Sequence, residues 1–100
     1  MYDVFRMSRG SDIKKTLEQY LIENGITSAA VVTAVGCVTK ATVRMADGIT
    51  IRELAGNYEI VSLCGTCCRD GCHLHISLSD VNGNVIGGHL CEGTIVNTTL

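Results

Sequence analysis

Apolar residues recur along the chain with two different periods, and only one segment carries the helical one. Ile13, Leu17, Tyr20 and Leu21 fall at spacings of four, three and one, which places them on one helical face, with Lys14, Lys15, Glu18 and Gln19 off it. Ser11 is the expected N-cap, with Asp12 favourably placed in the first turn. Asn24-Gly25 is the expected stop, because glycine tolerates the left-handed conformation past a helix end, and Ile26 can fold back on the last turn.

Elsewhere the period is two. Residues 2–8 are rich in β-formers and predict a first strand. Residues 29–36 are nearly all small or β-branched, which predicts a strand buried on both faces. Two alternating runs, 41–46 and 49–54, flank Asp47-Gly48, the signal of a two-residue hairpin turn. Residues 55–57 and 66–71 are predicted loops around a strand at 58–64. Residues 73–80 alternate cleanly, with Leu74, Ile76 and Leu78 on one face and His73, His75, Ser77 and Ser79 on the other. Asn82-Gly83 predicts a turn, Gly87-Gly88 a flexible point, and 94–99 a last strand. One helix and six to eight mostly hairpin-connected strands make an α+β fold: an antiparallel sheet packed with one main helix, with residues 1–100 as a single domain.

Composition sharpens this picture. A chain of 100 residues with no Trp and 4% aromatics must build its core from Val, Ile, Leu and Ala. A core of that size is marginal alone, so self-association is expected. Eight Lys and Arg against ten Asp and Glu, with a pI near 5.8, argue against binding nucleic acid through a broad basic face. Arg6, Arg9, Lys14 and Lys15 could form a small patch, but a solvated strand end and helix face is the simpler reading. The longest apolar run, 29–32, is far short of a membrane span, and no charged-then-apolar leader precedes Tyr2, so a cytoplasmic location and no membrane partner are expected. Four of the six cysteines, Cys64, Cys67, Cys68 and Cys72, fall within nine residues. With no leader, and with Cys67 and Cys68 adjacent, the expectation is free thiols in a reducing compartment.

The candidate chemistry lies in the histidines. His73 and His75 stand two apart on a predicted strand, on one face, with Cα atoms roughly 7 Å apart. That spacing lets two imidazoles converge on one ion. His89 follows Gly87-Gly88, which carry no side chains to block a close approach of the backbone. Two histidines from a strand and a third from a neighbouring segment can build an open three-histidine zinc site with water in the fourth position. The plain alternative is a solvent-facing polar strand. Cys64-Gly65-Thr66-Cys67 is a CxxC motif that a zinc knuckle or redox pair could use, but a second CxxC is missing and small filler side chains explain it as well. Asp70, Asp80 and Glu59 read as turn or surface residues, and Glu92, soon after His89, is the candidate acid/base or supporting group. Arg44 and Arg52 are placed facing each other across the hairpin, solvated rather than binding phosphate.

The segments 58–65, 71–80, 83–90 and 92–96 together resemble the plant-and-prokaryote-conserved (PPC) domain, with His-Leu-His at 73–75 and Gly-Gly-His at 87–89 as the most specific elements. Ala34-Val35-Gly36 followed by Ala41-Thr42-Val43-Arg44 is similar to the family's earlier signature. The resemblance implies an α+β fold, a homotrimer, a metal site at the three histidines in some members, and a DNA-binding role taken largely from plant proteins. No Arg-Gly-Arg AT-hook is present, so minor-groove reading has no visible agent. The cysteines stand where the family commonly has Ser, Leu or Pro, which favours their filler role. Family members usually continue beyond the position of Leu100, so the last strand is expected to be short or covered by a neighbour. The family fold also resembles that of acetolactate decarboxylase, a zinc enzyme with a comparable histidine arrangement. The expectation is therefore a homotrimeric regulatory module, binding DNA or DNA-bound proteins, with zinc or another divalent metal on His73, His75 and His89. The alternative is a zinc-dependent enzyme acting on a small oxo- or hydroxy-acid.

Overall fold

The computed structural model describes all 100 residues, Met1–Leu100. One helix, α1 (Ile13–Glu23), precedes six strands: β1 (Ser28–Ala30), β2 (Cys37–Arg44), β3 (Ile51–Cys68), β4 (Gly71–Ser79), β5 (Val85–Leu90) and β6 (Ile95–Asn97). Every strand pairing is antiparallel, in the order β1-β3-β4-β5-β2-β6 with a further β2–β3 pairing. The further pairing closes β2, β3, β4 and β5 on themselves. It is possible because β3 is 18 residues long: its first half pairs with β2 and its second half with β4. No helix is long and apolar enough to cross a membrane.

The helix begins one residue later than expected. Asp12, not Ser11, caps it, accepting from the Lys15 N–H at 3.1 Å. The same carboxylate accepts from the Gly93 N–H at 2.7 Å, tying the helix start to the loop between β5 and β6. Ser11 is held by its backbone instead, its carbonyl accepting from Val96 N–H at 2.8 Å. The stop is as expected: Gly25 has φ +65° and the Ile26 N–H donates to the Leu21 carbonyl at 2.9 Å. Ile13 and Leu21 are buried against Leu74, Ile76 and Leu78 of β4, Val38, Ala41 and Val43 of β2, Leu90 and Val96.

Several expected boundaries move, for identifiable reasons. Residues 2–7 form no strand: Phe5 stacks on Tyr20 of α1 with centroids 3.9 Å apart, Tyr20 donates to Asp3, and only Met7 and Ser8 pair with the C-terminal residues. Within 29–36 only the tail of β1 is strand, and the segment is not doubly buried; Val32 and Val35 are 75% and 83% exposed. It runs along the open edge of β3, with Val31 bonded to Gly65 and Gly36 to Ile60, and nothing covers its outward side chains. Residues 55–57 are not a loop but a bulge inside β3, where the register with β2 shifts between Val38 and Lys40. The predicted loop at 66–71 shrinks to Arg69-Asp70, because Cys68 pairs with Gly71. The Asp47-Gly48 hairpin forms with a wider loop of residues 46–49, closed by Met45 N–H donating to Thr50 at 2.8 Å.

Gly87 and Gly88 are not a flexible point: they lie within β5. A Cβ on Gly88 would stand 2.6 Å from the Arg44 carbonyl oxygen of β2, and one on Gly87 would strike the Ile76 carbonyl of β4. The paired glycines let β5 pack tightly between its two neighbours. Gly88→Ala therefore forces β5 away from β2 and lowers the unfolding free energy by about 1–3 kcal/mol, measured by urea denaturation. Unchanged stability would contradict the close approach.

The hairpin tip supplies a pH signature. The Asp47 carboxylate accepts from the Thr50 hydroxyl and from the Thr50 and Ile49 N–H groups, and these bonds hold its pKa down, from 3.8 to about 2. A lowered folded pKa means that the tip's contribution is fully present above pH 3.8 and is lost as pH falls through about 2. Carboxyl NMR titration should give Asp47 the low midpoint, and Thr50→Val should move it upward.

Candidate metal centre

The alternation of β4 builds the site. Leu74, Ile76 and Leu78 are buried in the core, so His73 and His75 must stand on the opposite face. His89 of β5 is the direct cross-strand partner of His75. The ring centroids are 5.1 Å apart for His73–His75, 5.0 Å for His73–His89 and 5.9 Å for His75–His89. One ligand atom from each ring lies within 4.8 Å of the others, and these three residues form the one group of metal-ligating side chains in the fold. His73 and His75 are exposed and His89 is half-buried.

Arg44 completes the row. It pairs with His89 across β2–β5. It does not face Arg52, as expected from the hairpin, because Arg44 pairs with Ile51 and Arg52 with Val43, which sets the two arginines on opposite faces. Burial first, then the positive charge of Arg44, then His73, His75 and Lys14, lower the pKa of His89 below its ordinary 6.5. The lowered pKa favours the neutral ring, the form that ligates metals. Its Nδ1 and the Nε of Arg44 are buried without hydrogen-bond partners. An open cleft of about 510 Å³ lies here, lined by Arg44, Met45, Ser77 and the three histidines. A larger one of about 690 Å³, between α1 and the N-terminal segment, is lined by Phe5, Arg6, Lys15 and Tyr20 and holds no ligand cluster.

The end of the β3–β4 hairpin fixes the strand that carries His73. The Cys72 N–H and Lys14 Nζ both donate to Glu18 Oε2, at 2.8 and 3.0 Å. Cys67 and Cys72 are joined by a disulfide, which corrects the expectation that all these thiols are free. They are directly opposed in the β3–β4 register, 4.0 Å apart at Cα, which a loop over 66–71 would not allow. Cys37, Cys64, Cys68 and Cys91 are free. Cys64 and Cys67 do not act as a knuckle: three apart on one strand, they face opposite sides, Cys64 exposed and Cys67 buried. Sequence reasoning also missed that Cys64 is the cross-strand partner of His75.

The remaining candidates lie elsewhere. Glu92 is not brought to the histidines; its carboxylate is exposed and stands 3.9 Å from Lys15 Nζ on α1. Asp80 accepts from the Asn82 and Asn84 N–H groups, both at 2.9 Å, and these turn bonds lower its pKa. The N-terminal cations do not gather into a free basic patch: Lys14 is paired to Glu18, Lys15 stands near Glu92 and Arg9 donates to Asn97.

Residues 3–100 match the family model of the Plants and Prokaryotes Conserved (PCC) domain. The bifunctional protein GlmU of Synechococcus sp. (strain JA-3-3Ab) is 37% identical over 94 residues, a match covering 94% of this chain and 15% of that much longer protein. A hypothetical protein from Salmonella enterica superposes with a TM-score of 0.92 at 32% identity, over 95% of this chain and 69% of that one. A metal-containing protein from Archaeoglobus fulgidus superposes with a TM-score of 0.80 at 31% identity, over 95% and 72%. Two structures at 22% and 24% identity, from Bacteroides thetaiotaomicron and Ralstonia eutropha, share the fold and are themselves proposed to bind DNA. The match along almost the whole chain settles the matter that His-Leu-His and Gly-Gly-His raised: the chain belongs to the Plants and Prokaryotes Conserved domain family.

Proposed function

We propose that residues 1–100 are one domain that acts in the cytoplasm as a homotrimeric regulatory module, with a divalent ion, Zn²⁺ in the first place, on His73, His75 and His89. The convergence of three imidazoles from two adjacent strands carries this reading. Nitrogens bound to a tetrahedral zinc at 2.0–2.1 Å lie about 3.3 Å apart, so the present 4.8 Å spread closes with small side-chain rotations. The buried Nδ1 of His89 has no hydrogen-bond partner, and an ion held by the cluster would supply the missing interaction. Three protein ligands leave a position for water or a ligand, where the ion would act as a Lewis acid. That the Archaeoglobus relative is metal-containing supports the assignment.

The trimer rests on incomplete burial. Only 16 of 100 residues are buried, and the accessible surface of 6222 Å² exceeds the about 5,500 Å² usual for a monomer of this mass. Val32, Val35 and Val61 are exposed along or beside the open edge of β3. Direct DNA binding has little to work with, because the net charge is −2 and most N-terminal cations have partners. A role on DNA then runs through DNA-bound proteins that dock on the trimer. The second reading, a zinc-dependent enzyme acting on a small molecule, is favoured by the cleft beside the histidines, but its expected proton carrier, Glu92, turns toward α1.

Elemental analysis of the purified chain should find about one zinc per chain, and His75→Ala should lose it together with the stabilisation against heat that zinc confers. Metal-free protein whose melting temperature ignores added zinc and chelator would reject the metal. Light scattering at micromolar concentration should return three times the 10.7 kDa chain mass. A monomer would remove the trimer.

A further inference from the structure

We propose that Arg44 and the three-histidine cluster form one binding site for a small organic acid, with the carboxylate on Arg44 and a neighbouring oxygen toward the histidines. The half of the site at the histidines rests on the metal reading above; the half at Arg44 does not. Arg44, His89 and His75 are consecutive cross-strand partners over β2, β5 and β4, so they form a row on one face with neighbours about 4.8 Å apart. The row is positive and has no counter-charge. No Asp or Glu lines the cleft, and the two ion pairs of the fold are Lys14–Glu18 and Lys15–Glu92. Arg44 Nε is buried with no acceptor, an arrangement that an incoming anion would relieve.

The shape of the site narrows the class of anion. Glycines 87 and 88 form part of the lining with no side chains, while Met45 supplies an apolar wall. A planar carboxylate matches the guanidinium fork through two parallel hydrogen bonds. One strand spacing further on lie the imidazoles, within reach of a hydroxyl or oxo oxygen on the adjoining carbon. One guanidinium and one serine hydroxyl, Ser77, are a sparse donor set for a phosphate dianion and a sufficient one for a monocarboxylate.

Glycolate is the test probe, with inorganic phosphate and ethylene glycol beside it, on the full chain as wild type, Arg44→Lys and Arg44→Met. Calorimetry on zinc-loaded protein should give glycolate binding that weakens roughly tenfold or more in Arg44→Met, with Arg44→Lys between, while zinc uptake is kept. Ethylene glycol should not bind. The Arg44 Nε–H signal in ¹H–¹⁵N spectra should move with glycolate. Undiminished glycolate affinity in both variants, an Nε–H signal that ignores glycolate, or tighter binding of phosphate than of glycolate would overturn the proposal. Should wild-type protein take up no zinc, the metal reading fails alone. The glycolate titration of metal-free protein at the Arg44 Nε–H signal then decides the carboxylate subsite, and no shift overturns it.

Discussion

The register of β4 between β3 and β5 is the constraint on which the rest depends. Leu74, Ile76 and Leu78 are almost fully withdrawn from solvent, and each contributes about 1.5–3 kcal/mol of burial. A slip of one residue would expose all three and push His73 and His75 into the core, so the hydrophobic effect alone sets which way the imidazoles face. The chemistry of the outer face is thus held by the packing of the inner one. Cys67 with Cys72, Glu18 with the Cys72 N–H, and the glycine pair of β5 secure the same register from its two sides.

Much of this was legible in the sequence because it is local. The helical face from Ile13 to Leu21, the Asn24-Gly25 stop and the alternation of 73–80 are properties of short windows, and all three appear in the fold. Local windows also misled. Residues 29–36 are apolar enough to suggest double burial, yet hydropathy cannot tell a core strand from an edge that has no cover within one chain. Gly56 and Gly87-Gly88 mark a bulge and a tight strand crossing rather than a loop and a hinge, because glycine signals close approach as readily as a turn.

At the site, the histidines could be gathered from spacing, but Arg44 could not. Its neighbour His89 lies 45 positions away, and their meeting depends on the β2–β5 pairing, which no short-range pattern encodes. The Cys67–Cys72 bridge was hidden for a related reason: two residues of a hairpin face each other only once its turn is placed at Arg69-Asp70. Glu92 shows the converse error, since closeness in sequence to His89 suggested a partnership, while the loop after β5 carries it toward Lys15.

Family membership supplies the frame, and the row from Arg44 to His75 supplies the chemical content specific to this chain. Four free cysteines and three histidines compete as donors for a thiophilic ion, and only the histidines converge in the fold. X-ray absorption at the zinc K edge of the loaded protein tests that preference most directly. The account predicts a first shell of nitrogen and oxygen at 2.0–2.1 Å, with the multiple-scattering pattern of three imidazoles. A shell dominated by sulfur at about 2.3 Å would place the ion on the cysteines and contradict it.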